Sequence, residues 1–309
     1  MKILKSACRI CSAGCGVNLY VEGDRVVKVE GMAEFPSNQG TICTKAAGTT
    51  QVLYSPDRLL HPVKRTGERG ENKWQQITWD EALDTIAGKL DVIRNEYGPQ
   101  ALAMTVGQQW HWNAGAAMQF RFCHAFGSPN RSAYTNWCHG PVMAAHSITY
   151  GAPYGTQVFP GSFDYEDQPT KCMVFWGCNP FTSRMNRIQR ILDAKAKGAK
   201  MIVVDPYFSS TAQQADLWAQ IRPGTDVVLA LGLINIIIKE ELYDKEFVEK
   251  WTSGFDKLVK HVKSFTPEKV EGITGVPADL VVKIARTYAG NRPGIIEDYA
   301  ALHQQTNGF

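Results

Sequence analysis

The fold of this chain is decided by residues 171–206, which read KCMVFWGCNPFTSRMNRIQRILDAKAKGAKMIVVDP. Two buried strands are predicted in KCMVFWG and AKMIVVDP, and a helix that ends at Gly198 is predicted between them. A second, apolar helix is predicted in GTDVVLALGLINIIIKEEL, residues 224–242. This alternation is typical of βαβ units with a mostly parallel sheet, so we expect doubly wound α/β domains.

Ligands of parallel sheets bind at the carboxyl ends of the strands. Two predicted strand ends carry motifs of interest, WGCNP at residues 176–180 and VVDP at residues 203–206. We therefore take these two strand ends as candidate ligand positions.

The first 100 residues have a different pattern. Residues 1–60 are rich in turns and cysteine, and VNLYVEGDRVVKVEG (17–31) predicts a β-hairpin. A helix is predicted from Thr78, whose side chain can cap it with Glu81 three residues later, to the stop at Gly98. Its apolar residues repeat at 3-4-3-4 spacing, and ALAMTV (101–106) after it predicts a buried strand.

The composition is that of an ordinary globular chain, with 309 residues, 44% hydrophobic and 20% charged, and a net charge of +3. Basic and acidic residues are interspersed, so no basic stripe indicates a nucleic-acid partner.

The most apolar stretch, VVLALGLINIII (227–238), is too short to span a bilayer. No signal peptide is visible before Cys8, and we expect a cytoplasmic protein without a transmembrane segment.

Four of the eight cysteines lie near the N-terminus, in the pattern Cys8-x2-Cys11-x3-Cys15 followed by Cys43. Three ligands on one tight loop and a fourth from a distant segment suit a cubane iron–sulfur cluster. Thiolates are the soft ligands that such iron requires. Glycines on both sides of Cys15 allow the backbone to bend closely around the cluster.

Two alternatives stay open at this point. A structural zinc site usually pairs its cysteines in two CxxC knuckles, and the second knuckle is missing here. A redox-active CxxC pair needs only two cysteines. The other cysteines are scattered singly, and for Cys123, Cys172 and Cys178 we expect the role of small buried hydrophobic residues.

Several motifs in fixed order carry a resemblance to a known family. After the cysteines come Lys45, SPDRLLHPVKRTGERGENKWQQITWDEALD, VFWGCNP, IVVDP and ADLWAQIRPGTD. Together they resemble the molybdopterin oxidoreductases of the dimethyl-sulfoxide-reductase family, from Cys8 to the last residue. The resemblance implies molybdenum or tungsten on two molybdopterin guanine dinucleotides, and a [4Fe–4S] cluster held by Cys8, Cys11, Cys15 and Cys43.

The resemblance also implies roles for residues outside the cluster. Lys45 would lie between the cluster and one pterin and help electrons to cross. The guanine dinucleotide would be bound by Gly177, Asn179, Ser183, Asp205, Gly224 and Asp226. Ser183 would lie near phosphate at the start of the following helix, Asp205 would hydrogen-bond the ribose, and Asp226 would bind the guanine edge.

Three of these residues also have an ordinary structural interpretation. Asp205 before a proline is often a turn residue, and Asp226 could cap the apolar helix that follows it. Lys45 alone would be a surface lysine. Their joint order, rather than any single residue, supports the functional assignment.

The motif TNWCHGPV, residues 135–142, lies where the family places the protein ligand to the metal. By resemblance that ligand is Cys138, although a lone cysteine is often a buried hydrophobic residue. The adjacent His139 resembles the arrangement in formate dehydrogenases, where the histidine handles the proton while the metal takes two electrons from formate. Cys138, His139 and Lys45 are therefore the expected catalytic residues.

Other family activities compete with formate oxidation. Tungsten acetylene hydratases carry an aspartate directly after the second cluster cysteine, and here that position is Ser12. Thiosulfate, polysulfide and arsenate-type reductases and hydroxyl-transfer enzymes stay open, because many of them also use a cysteine ligand. A metal-free iron–sulfur electron-transfer subunit is the non-enzyme alternative.

Family members are usually more than twice as long, with four domains, so the resemblance implies a truncated chain. We expect a cluster domain at residues 1–60, the first part of α/β domain II at 61–134 and a Rossmann-like domain III at 135–309. The rest of domain II and the whole of domain IV would be absent, and this piece alone would be inactive. A separate iron–sulfur or flavin subunit would be the electron partner.

Overall fold

The computed structural model describes residues 1–11, 13–106, 115–133, 140–151, 170–298, 300–306 and 308. The chain forms two compact units. The first contains Met1–Met32 and Ile42–Asn136, and the second contains Ala33–Thr41 and Trp137–Phe309. The division into three domains expected from the sequence stays a prediction.

The first unit begins with a three-stranded antiparallel sheet. Its strands are β1 (Lys2–Ala7), β2 (Gly16–Glu22) and β3 (Arg25–Gly31), in that spatial order. The predicted hairpin is confirmed as β2 and β3, and it turns at Gly23, whose φ of +56° suits glycine. β1 pairs with β2, so the cysteine loop is the connection between two neighbouring strands.

Short elements follow the sheet. They are helices α1 (Thr44–Ala47) and α2 (Thr49–Leu53) and the antiparallel strands β4 (Val63–Arg65) and β5 (Trp74–Gln76). Helix α1 starts directly after Cys43, which is its N-cap residue.

Helix α3 (Trp79–Tyr97) confirms the predicted capped helix. The Thr78 hydroxyl accepts a hydrogen bond from the Glu81 amide at 3.1 Å, and Gly98 ends the helix with a φ of +81°. The apolar repeat is present, but Leu83 and Ile86 are more than half exposed and none of the helix residues is buried.

The last elements of the first unit are helix α4 (Gly115–Phe126) and the parallel strands β6 (Met104–Val106) and β7 (Arg131–Ala133). Only Met104–Val106 of the predicted strand ALAMTV is a strand, since Ala101 belongs to a 3₁₀ turn. The expectation that it is buried is wrong, because Thr105 is exposed and Met104 only partly covered. The reason is that β6 and β7 form a sheet of only two strands among the described residues, which leaves little to cover them.

The second unit is built on a four-stranded parallel sheet. Its strands are β8 (Cys172–Trp176), β9 (Lys200–Val204), β10 (Leu217–Ala219) and β11 (Gly294–Asp298), in the order β10-β9-β8-β11. All three pairings are parallel, which confirms the sheet predicted from the strand–helix alternation. Trp176 pairs with Val204, so the two motif-bearing strands end level with each other.

Helices cover both faces of this sheet. The helices of the second unit are α5 (Gly140–Tyr150), α6 (Pro180–Ser183), α7 (Ile188–Ala196), α8 (Asp226–Lys239), α9 (Lys245–Trp251), α10 (Phe255–Val262), α11 (Pro267–Thr274), α12 (Ala278–Gly290) and α13 (Ala300–His303). Val174 belongs to the apolar core that contains α8, α11 and α12, whereas Phe175 belongs to the core on the other face, with α7. The doubly wound α/β architecture is thereby confirmed.

The helix predicted after β8 is shorter than expected. Only α7, from Ile188, is regular, and the residues before it form α6 and a 3₁₀ turn at Met185–Arg187. The prediction was wrong here because the Arg187 side chain forms a buried ion pair with Glu297, and the 3₁₀ turn permits that orientation. The end of the helix is as predicted, at Gly198 with a φ of +96°.

No helix among the described residues is both long and apolar enough to cross a membrane. The apolar stretch 227–238 lies in α8, whose Leu229 and Ile236 are buried in the core of the second unit.

A buried ion pair joins the turn before α7 to the last strand. Arg187 donates from Nη1 to both Glu297 carboxylate oxygens, at 3.0 and 3.1 Å, and both side chains are more than 90% buried. Burial raises the pKa of Glu297, and the Arg187 charge opposes that shift. The pair fixes the segment after β8 against the end of β11.

Breaking this pair should destabilise the second unit. Glu297→Gln leaves the Arg187 charge buried without its counter-charge, so we expect a loss of about 3 kcal/mol in the free energy of unfolding. The measurement is urea denaturation followed by circular dichroism. The control is Glu240→Gln, which breaks an ion pair with Arg286 on the surface and should change stability little. Equal effects of the two variants would contradict the structural role of the buried pair.

Gly177 follows β8 at a position where only glycine fits. Its φ is +60°, and a Cβ placed on it would lie 2.2 Å from the Cβ of Ala301 in α13. Both the left-handed backbone and the close approach of α13 exclude a side chain.

We therefore expect Gly177→Ala to cost about 3 kcal/mol of stability, from backbone strain and overpacking together. Gly275→Ala is the matched control, because Gly275 has a φ of +77° with nothing within 4 Å of its added Cβ, and should cost about 1 kcal/mol. Adding Ala301→Gly to Gly177→Ala should recover the part caused by the clash, as measured by denaturation. If the double variant is no more stable than Gly177→Ala, the contact with α13 is not the cause.

Candidate functional site

The four N-terminal cysteines lie in one region of the first unit. Cys8, Cys11 and Cys15 belong to the β1–β2 connection, which is closed by a 2.8 Å hydrogen bond from the Cys8 amide to the Cys15 carbonyl. Gly14 takes a φ of +61° just before Cys15, as a tight loop requires. Burial raises the pKa of the Cys15 thiol, and the nearby Cys11, Cys8 and Cys43 raise it further by charge repulsion. The fold thus brings the other three cysteines close enough to Cys15 to affect its thiol.

Three cysteines on one loop and a fourth on a separate segment are a ligand set that suits a [4Fe–4S] cluster.

Asn179 is at the centre of a polar cluster at the carboxyl edge of the parallel sheet. Its Oδ1 accepts from the hydroxyls of Thr211 and Ser210, at 2.6 and 3.1 Å, and its Nδ2 donates to Thr182 at 3.2 Å. Sequence reasoning found Asn179 but missed these three hydroxyls. Ser210 and Thr211 could have been found from the sequence, since SST at residues 209–211 follows the neighbouring strand end VVDP. The cluster holds the two strand ends together and presents hydroxyl and amide groups typical of nucleotide sites.

The expected position of Ser183 at a helix start is wrong. Ser183 is the last residue of the four-residue helix α6, and its hydroxyl donates to the Asn179 carbonyl at 2.9 Å. Pro180 starts this short helix, and the next regular helix begins only at Ile188. The hydroxyl therefore serves the local turn, and the helix-dipole argument for a phosphate at Ser183 does not apply.

Asp205 has the turn geometry that its position before a proline suggests. Its Oδ1 accepts from the Tyr207 amide at 2.8 Å, and its own carbonyl accepts from the Trp218 indole at 2.9 Å. Burial raises the pKa of the Asp205 carboxyl, whereas the Tyr207 N–H lowers it. Asp205 is thus held firmly at the end of β9, at the same edge as Asn179.

Asp226 is the first residue of α8, and the capping interpretation is wrong. Thr225 is the N-cap residue, and Gly224 before it turns the chain with a φ of +82°. The Asp226 side chain is buried and accepts a 2.8 Å hydrogen bond at Oδ1 from the indole Nε1 of Trp176. Sequence reasoning missed Trp176, whose partner lies 50 residues away in the chain.

The expected catalytic residues are only partly visible. Lys45 is exposed on α1, two residues after Cys43. Cys138 and His139 lie outside the described residues. The buried role expected of single cysteines is confirmed for Cys123 and Cys172, whereas Cys178 is half-buried and donates to the Glu297 carbonyl at 3.3 Å.

Two family models match this chain. The family model described as molybdopterin oxidoreductase matches residues 58–300. The model described as the molybdopterin oxidoreductase Fe4S4 domain matches residues 1–55. These matches indicate a [4Fe–4S] cluster and a molybdopterin cofactor.

Curated relatives have several different names. Acetylene hydratase from Syntrophotalea acetylenica is 35% identical over 97% of this chain and 40% of that protein. Formate dehydrogenase H from Escherichia coli is 34% identical over 94% and 40%. The molybdopterin-containing subunit of thiosulfate reductase from Salmonella typhimurium is 32% identical over 94% and 37%. The chain thus spans about 40% of the length of these relatives.

A solved structure gives the same relationship. Acetylene hydratase from Pelobacter acetylenicus superposes with a TM-score of 0.79 at 33% identity, over 98% of this chain and 41% of that one. The architecture described above, from the cysteine loop to α13, is therefore that of a known enzyme scaffold.

Replacing a single cluster cysteine should abolish iron binding. We expect Cys43→Ala to lose most of the iron and visible absorbance of anaerobically purified protein, because the three loop cysteines alone leave one corner of the cluster without its ligand. The control is Cys123→Ala, which removes a buried thiol from the same unit without touching the loop. Full iron content in Cys43→Ala, or zinc in place of iron, would contradict the four-cysteine assignment.

Proposed function

Because this chain belongs to the molybdopterin oxidoreductase family, we propose that it is part of the catalytic subunit of a formate-oxidising enzyme. The redox class is supported by the four cysteines, three on one loop and the fourth on a separate segment, which are a ligand set that suits a multi-iron cluster. Formate is supported by the adjacent Cys138 and His139, which resemble the ligand and proton acceptor of formate dehydrogenases.

The cofactor we propose is molybdenum or tungsten on two molybdopterin guanine dinucleotides. When bound, this group supplies a metal that exchanges two electrons with the substrate, while the [4Fe–4S] cluster passes electrons on. Cys138 would hold the metal through its thiolate. His139 would accept the proton, since imidazole is the side-chain group suited to proton transfer near neutral pH.

The carboxyl edge of the parallel sheet would hold one guanine dinucleotide. Asp205, fixed by the turn to Tyr207, would bind the ribose, and Asn179 would present its polar cluster beside it. Asp226 would accept from the guanine edge. Gly177 and Gly224 would contribute their main-chain groups to the same site.

The other proposed parts concern electron flow. Lys45, exposed close to Cys43, would lie between the cluster and a pterin. A separate iron–sulfur or flavin subunit would receive the electrons, and the cytoplasm is the location we propose.

Hydration is the second candidate, favoured by the likeness to acetylene hydratases in sequence and in fold. It is weakened by Ser12, which occupies the position where such hydratases carry an aspartate. A hydroxyl cannot serve as the acid or base that a carboxyl supplies near its pKa.

The proposal is tested by metal analysis and two assays on the anaerobically purified product of the complete gene. We expect about four irons and one molybdenum or tungsten per chain, with formate-dependent reduction of a viologen dye. Formation of acetaldehyde from acetylene without dye reduction would select hydration instead. Iron without molybdenum, tungsten or pterin would contradict the catalytic proposal and indicate an electron-transfer subunit.

Cys138→Ala should abolish formate oxidation and leave the visible absorbance of the cluster unchanged, because the two metal sites use different thiols. Cys123→Ala is the control for removal of a thiol outside both metal sites, and its activity should be close to that of the unaltered protein. Retained turnover in Cys138→Ala would show that another residue binds the metal.

A further inference from the structure

Trp176 and Asp226 form a hydrogen bond at the carboxyl edge of the parallel sheet. Trp176 is the last residue of β8, and Asp226 is the first residue of α8. The indole Nε1 donates to Asp226 Oδ1 at 2.8 Å, and the two residues are only 3% and 4% exposed. The bond therefore connects the end of β8, where the WGCNP motif begins, to the start of α8, where the RPGTD motif ends.

A buried carboxylate needs hydrogen-bond donors, and the indole N–H is a donor that cannot reverse its role. The Trp176 ring is packed in the apolar core with Leu229 and Ile284, so the direction of its N–H is fixed. Within the described part of the chain, Trp176 is the only residue that donates to the Asp226 side chain. The bond thus sets the rotation of the carboxylate and leaves Oδ2 as an acceptor for a group from outside the chain.

We propose that Trp176 is a positioning residue that holds Asp226 in the orientation needed to distinguish guanine from other bases. Guanine presents two adjacent donors, N1–H and the exocyclic amino group, and a carboxylate has enough lone pairs to accept both while it keeps the indole bond. This inference rests on the proposed function, since it takes the guanine nucleotide as the ligand of this edge. Trp176 itself does not touch the base.

The second unit offers a matched tryptophan for comparison. The Trp218 indole donates to the main-chain carbonyl of Asp205 at 2.9 Å, so its loss removes an indole N–H from the same sheet edge without freeing a carboxylate. Trp218→Phe therefore controls for loss of ring size and of an indole bond in general.

The experiment measures binding of GDP and of IDP, which lacks the exocyclic amino group, to the 309-residue chain by titration calorimetry. The unaltered chain should bind GDP about tenfold more tightly than IDP, as expected for one hydrogen bond to a charged group. Asp226→Asn should abolish that preference, and Trp176→Phe should reduce it severalfold while IDP binding changes little. Trp218→Phe should keep the preference. A merely structural role of Trp176 would weaken GDP and IDP equally.

A wrong nucleotide site and a wrong role for Trp176 give different results. If the unaltered chain does not bind GDP, or if Asp226→Asn keeps the preference for GDP, the proposed nucleotide site is wrong and the inference fails with it. If Asp226→Asn loses the preference but Trp176→Phe retains it in full, the nucleotide site stands and the positioning role of Trp176 is overturned. Thermal unfolding checks that each variant is folded, and Trp176→Met, which also lacks a donor, replaces Trp176→Phe if that variant does not fold.

Discussion

The parallel pairing of β8 with β9 is the constraint on which the candidate nucleotide site depends. Cys172 pairs with Lys200 and Trp176 with Val204, so the two strands are level and leave the sheet at the same edge. A shift of register by one residue would turn every side chain of a strand to the opposite face, so Val174 and Phe175 would exchange cores and the packing of both cores would be disturbed. Because both faces are packed with helices, that register is strongly fixed, and the segments after the two strands must meet. The hydrogen bonds between Asn179 and the Ser210–Thr211 pair are the direct result.

Buried polar pairs make this edge rigid. Arg187 with Glu297 fixes the segment after β8 against β11, and Trp176 with Asp226 fixes the end of β8 against α8. Each pair satisfies groups that would be costly to bury alone, so the surrounding backbone has little freedom to move without losing them. A ligand that binds such an edge meets groups already in place, and less of its binding energy is lost in ordering them.

The sequence predicted those features that depend on local pattern and spacing. The strands β8 and β9, the capped helix α3 and the cysteine loop follow from alternation, capping residues and ligand intervals, all of which act over a few residues. It failed where a distant partner decides the local structure. The turn before α7 exists because Arg187 pairs with Glu297, which lies 110 residues further along the chain. Asp226 does not cap its helix, because its carboxylate accepts a hydrogen bond from Trp176 instead. Exposure of the apolar face of α3 is a third case, since periodicity shows which side of a helix is apolar but not whether anything covers it.

The choice among reactions cannot be made by likeness of the scaffold. Relatives named as an acetylene hydratase, a formate dehydrogenase and a thiosulfate reductase subunit lie within three percentage points of identity to this chain. Identity is summed over the whole matched region, most of which forms the sheet, its helices and the cysteine loop, and these parts serve any of the reactions. The chemistry is decided by the few groups that touch the substrate, because only interactions made in the transition state change the rate. In this chain Cys138, His139 and Ser12 are the positions whose side chains favour one of these reactions over another. Three residues contribute almost nothing to an identity score, so the preference for formate depends on the chemistry of those side chains and not on the rank of any relative.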